Sequence, residues 1–196
     1  MTLSLDCINF STVAGPQYFL IYPPPLTLTP AQPQTKHPTV SAPTQSGSDG
    51  DRTEVSWDAA PAGLFFLTVE PGQPAERADR IAVSLGDTVT VHWESGDLFA
   101  AAVPGGAEGV VTVISPADIP ASAAVGLVAG AGAVTFPLPE GGGTTTVALA
   151  SVQAVSVQFG TPPGPNSYLS PVAEVSFEGA SASVTIGPDN IIRQTA

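Results

Sequence analysis

Apolar side chains recur at every second position in many short stretches of this chain, and polar or small residues fill the places between. The clearest case is residues 80–93, where Ile81, Val83 and Leu85 alternate with smaller residues. Val89, Val91 and Trp93 then form a stripe interrupted by Thr88, Thr90 and His92, with Gly86-Asp87 between the two halves. The alternation predicts two strands with one buried face each, and the Gly-Asp step predicts a hairpin turn joining them. The same grammar predicts strands over residues 54–57, 64–69, 109–114, 125–129, 133–136, 144–149, 152–159, 172–177 and 182–186.

Strand signals about 8 to 12 residues apart, punctuated by Pro-Gly, Gly-Gly and Gly-Pro, predict an all-β fold: an antiparallel β-sandwich or barrel, immunoglobulin-like or jelly-roll-like. Helix has little support, because the Ala-bearing stretches 59–62 and 116–125 both contain proline. At most a helical turn is expected near Pro116-Ala117-Asp118. Gly141-Gly142-Gly143 is followed by three threonines and a strand, not by lysine and a helix, so it is no phosphate loop. It is expected to form a hairpin tip between the strand ending at Phe136 and the one beginning at Thr144.

Residues 1–52 differ from residues 53–196 and are expected to be an extended N-terminal arm ahead of the β-sandwich domain. Tyr18, Phe19, Leu20, Ile21 and Tyr22 form the most hydrophobic aromatic cluster, stopped by Pro23-Pro24-Pro25. After it, Pro30, Pro33, Pro38 and Pro43 favour extended chain and forbid helix. Five large apolar side chains left in water would make a sticky patch, so the cluster is expected to dock, either on the chain's own β domain or on a neighbouring subunit. These five residues are the candidate partner-binding site. Deleting the arm is then expected to cost attachment rather than folding.

Composition narrows the partners. Seventeen acidic against five basic residues give a net charge of −12, yet only 11% of residues are charged. Lys36, Arg52, Arg77, Arg80 and Arg193 are scattered, which disfavours nucleic acid, and net negative charge disfavours anionic membranes. No apolar run is long enough to span a bilayer. Asp6, Cys7 and Asn9 interrupt the place where an export signal would need an apolar segment. Cys7 is the one cysteine, so no intrachain disulfide forms. A surface of Ser, Thr, Gly, Pro and Ala has little side-chain entropy to lose on contact with other proteins.

Candidate chemistry is sparse. His37 lies in the proline-rich segment with nothing obvious to hold its ring, and His92 is expected on the outward face of its strand. Asp49, Asp51 and Glu54 supply oxygens suited to a hard cation but lack the full calcium-loop spacing. Trp57 and Trp93 are expected in the core. No Gly-x-Ser-x-Gly elbow occurs, and neither catalytic residues nor a cofactor are expected.

Residues 86–93, Gly-Asp-Thr-Val-Thr-Val-His-Trp, resemble the Gly-Asp-Thr-Val strand of cupredoxins and multicopper oxidases, which implies a sandwich. A copper site of that family needs Cys and His near its C-terminal end, and the last hundred residues here contain neither. As a whole, the low-charge surface, proline-rich arm and many short strands resemble bacteriophage virion structural proteins of the capsid decoration (cement) type. That resemblance implies a non-enzymatic, homo-oligomeric subunit assembled in the host cytoplasm, bound to capsid or other virion proteins. Two rival readings are a receptor- or carbohydrate-binding module of a tail or fibre, with Tyr168 as its exposed loop aromatic, and an accessory domain of a secreted hydrolase.

Overall fold

The computed structural model describes residues 2–47, 49–58, 64–70, 78–128, 130–149, 154–161 and 169–195. Among them the regular structure is all β, in seventeen strands, with a hydrogen-bonded turn at Ala117-Asp118 and no helix. Two compact units divide the chain: unit 1 comprises Met1–Pro24, Pro38–Ala59 and Ser151–Ala196, and unit 2 comprises Pro25–His37 and Ala60–Ala150. This division corrects the expected boundary at residue 52, because the first fifty residues supply strands to both units. The Ala-bearing stretch 59–62 lies outside the described residues.

Unit 1 has one sheet in the order β17 (Ile192–Thr195), β16 (Ser181–Ile186), β1 (Thr2–Asn9), β5 (Asp51–Asp58). A second contains β15 (Ala173–Ser176), β14 (Ala154–Gly160), β2 (Tyr18–Tyr22) and the latter half of β4 (Thr35–Val40). β1 runs antiparallel to β5 and parallel to β16. Its alternation decides its faces: Leu3, Leu5 and Cys7 are buried, while Thr2, Ser4 and Asp6 stand opposite Asp58, Ser56 and Glu54. Trp57 meets Phe177 edge-on at 5.7 Å, as a core tryptophan should.

At the centre of the second sheet, register partners Phe19 and Phe159 meet at 5.0 Å and 63°. Each is flanked by a serine that does the same work. The Phe19 amide donates to Ser41 Oγ at 2.9 Å, and the Phe159 amide donates to Ser170 Oγ at 3.0 Å. The serine amides return bonds to the carbonyls of the same phenylalanines, at 2.9 and 2.8 Å. Both serines are buried, and their hydroxyls satisfy main-chain groups that would otherwise be orphaned.

Unit 2 is a sandwich. One sheet has the order β3 (Leu26–Thr29), β13 (Gly143–Leu149), β10 (Val111–Ser115), β8 (Asp87–Glu94), β9 (Asp97–Pro104). The other contains β12 (Gly132–Pro137), β11 (Ala124–Val128), β6 (Phe65–Val69) and β7 (Asp79–Ala82). Leu28, Val89, Val91, Leu98, Val111, Val113 and Val147 of the first sheet share one core with Phe66, Val125, Leu127, Val134 and Phe136 of the second.

Two expected hairpins are corrected. Strands β7 and β8 lie in different sheets, so Gly86-Asp87 carries the chain across the sandwich. Ser84 and Asp87 fix that crossing, the Ser84 amide donating to Asp87 Oδ2 at 2.8 Å. The true hairpin is β8–β9, closed by Ser95-Gly96 with φ of 57° and 97°, the left-handed pair a tight two-residue turn demands. Gly141-Gly142-Gly143 likewise links β12 to β13 between sheets. Gly142 has φ 80°, and a Cβ there would lie 2.7 Å from the Pro116 carbonyl carbon, so glycine is required.

Candidate interaction surface

The expected partner-binding cluster is interior. Phe19, Leu20 and Ile21 are at most 1% exposed in β2, with half-buried Tyr18 and Tyr22 at its ends. Phe19 and Ile21 pair with Phe159 and Val157 of β14, and burial raises the Tyr22 hydroxyl above its usual pKa. The cluster docks within its own unit and has no free apolar face to offer. The proline-rich segment is also ordered into pairing strands: β3 pairs with β13, and β4 pairs with β2.

The outward face of the β3-β13-β10-β8-β9 sheet is largely uncharged among the described residues. Alternation turns Thr27 and Thr29 of β3, Thr144, Thr146 and Ala148 of β13, and Thr112 and Ile114 of β10 away from the core. Register then aligns them. Thr29, Thr146, Thr112, Thr88 and Val103 form one rank across five strands, and Thr144, Ile114, Thr90 and Ala101 form the next. His92 and Phe99 complete a third, their rings stacked at 5.1 Å and 16°. Strand spacing makes the face about 20 Å wide. Glu94 and Asp97 stand only at its margin, where β8 turns into β9.

The remaining candidates are held in structural roles. His37 is not loose as expected: its Nε2 lies 2.9 Å from Thr135 Oγ1. Cys7 is fully buried, and burial with the neighbouring Asp6 pushes its thiol up to about 12. Asp51 accepts from the Gln45 amide at 2.8 Å and Glu54 accepts from Ser4 Oγ, so these acids brace turns and strands. Among the described residues, no group of three His, Cys, Asp or Glu side chains converges as metal ligands would. Trp93 packs against the unit 2 core. Tyr168 lies outside the described residues.

Unit 1 carries an open groove of about 740 Å³ lined by Asp6, Glu178, Ser181, Ser183, Gln194 and neighbouring residues. Among the described residues, none of those lining it is aromatic. No protein family, no curated protein and no solved structure matches the chain. An uncharged, threonine-ranked sheet face on a protein of net charge −12 suits contact with another protein surface, since interface centres are depleted of charge.

Proposed function

We propose that this protein is a non-enzymatic virion structural subunit of the capsid decoration type, bound to a capsid lattice through the outward face of its five-stranded sheet. The observation that carries the reading is the gathering of threonine, alanine, valine and isoleucine onto that face while carboxylates stand at its margin. Such a face desolvates cheaply and presents hydroxyls that pair with main-chain groups of a partner. The acidic remainder keeps the subunit soluble and repels packaged nucleic acid, which fits an exterior position.

Mass spectrometry and immunogold labelling of purified particles test this. The chain is expected in many copies on the shell exterior. A T90R/T112R double variant should fold normally yet lose most of its occupancy. Absence from particles, labelling confined to a tail, or full occupancy by the double variant overturns the reading.

A further inference from the structure

We infer that the protein pairs with a second copy of itself through the free edge of β9, antiparallel, with Ala101 on the two-fold axis. The inference does not depend on the capsid reading. Among the described residues β9 ends its sheet, hydrogen-bonded to β8 on one side only, with residues 79–81 of β7 lining a small recess beside Phe99 and Ala100. A free strand edge is a template for another strand, and proteins blunt such edges with short length, charge or proline. The other sheet-end strands are blunted in those ways. β7, β15 and β17 have four residues each and carry Asp79 and Arg80, Glu174, and Arg193. β3 has four residues followed directly by Pro30, and β5 carries Asp51, Arg52, Glu54 and Asp58. β9 has eight residues and no charge between Asp97 and Pro104.

Its sequence, Asp-Leu-Phe-Ala-Ala-Ala-Val-Pro, is self-complementary in one register. With Ala101 facing Ala101 of the other copy, Phe99 faces Val103, Ala100 faces Ala102, and Asp97 faces Gly105. Phe99 and Val103 are 42% and 55% exposed and lie on the same face of the sheet. The pairing covers both with an aromatic against a β-branched side chain, a favourable cross-strand combination. Moving the axis to Ala100 would set Val103 against Asp97. Moving it to Ala102 would leave Phe99 against Gly105. Small side chains at 100–102 let the two backbones approach while main-chain hydrogen bonds supply the affinity. No charge on β9 faces another, which matters for two chains of −12 that otherwise repel. The threonine face then continues across ten strands.

Sedimentation analysis of the full chain across the micromolar range tests the pairing. A reversible dimer is expected, tightening as salt screens the repulsion. Ala101→Lys sets like charges directly opposite and should weaken it at least about tenfold, whereas Ala101→Ser should leave it intact. Circular dichroism checks that both variants keep the β spectrum. Under mild oxidation Ala101→Cys should give a disulfide-linked dimer and Ile114→Cys, in the middle of the sheet face, should not. A chain that stays monomeric at every concentration and salt overturns the inference. So does a dimer indifferent to Ala101→Lys, or one cross-linked through Ile114→Cys. Because these measurements contain no particles, their failure leaves the outcome of the particle experiments untouched.

Discussion

Cys7 shows how one buried side chain ties fold to solvent conditions. Its thiol sits among Leu3, Leu5 and the rest of the unit 1 interior, and desolvation, helped by Asp6, raises its pKa from 9.0 to about 12. The unfolded chain therefore gives up this proton first as pH rises. The contribution is fully present below pH 9 and is lost between there and about pH 12. Thiol reagents at neutral pH should leave the native protein unlabelled and label one cysteine per chain after denaturation. Cys7→Ser should flatten the alkaline limb of the stability curve; rapid labelling of the native protein would show that the interior is open. The inward placing of Val89 was legible from alternation alone. The grip of Thr135 on His37 was not, because the two are 98 positions apart and meet only through folding.

At the level of strands, β2 decides what the N-terminal segment is for. Phe19 and Ile21 fill the centre of a sheet whose neighbours, β14 and β4, are drawn from distant segments. A chain beginning at Asp51 loses β1 and β2 outright, exposing Phe159, Val157 and Val184. Full burial of each such side chain is worth about 1.5 to 3 kcal/mol, so losing three costs as much as most of a typical domain's stability margin of about 5 to 15 kcal/mol. That truncated chain is expected to be insoluble or to lack a cooperative unit 1 transition on thermal melting. A shortened chain that melts like the intact protein would return β2 to the role of a detachable anchor. Strand existence was written plainly in alternating segments such as Val89 to Trp93, but pairing was not. Gly86-Asp87 announces a turn without saying whether the chain stays in one sheet. β9 escaped notice because Ala100, Ala101 and Ala102 blur the contrast between its faces, and β4 because Pro38 interrupts it. The threonine face was invisible for a related reason: its members span residues 27 to 148 and become neighbours only through register.

Across the whole molecule, unit 2 is nearly continuous in sequence, drawing only Pro25–His37 from elsewhere, whereas unit 1 is stitched from three separated segments. Closing the unit 1 sheet requires β1 to find β16, with Ser4 opposite Ser181. Contacts that far apart carry a larger loop-closure cost and slow folding. Pulsed hydrogen exchange during refolding should therefore protect β8, β10 and β11 of unit 2 before β1 and β16 of unit 1. Simultaneous protection of both sets would show that they form as one cooperative body. The parallel arrangement of β1 and β16 also has a mechanical consequence. Tension applied at Thr2 and Gly187 grips the two strands at opposite ends, so their six register steps, Ser4–Ser181 through Asn9–Ile186, bear load together in shear. Pulling open the adjacent antiparallel β16–β17 pair from its free end breaks its steps one at a time. The chain thus carries a shear clamp that joins its first strand to one beginning at Ser181.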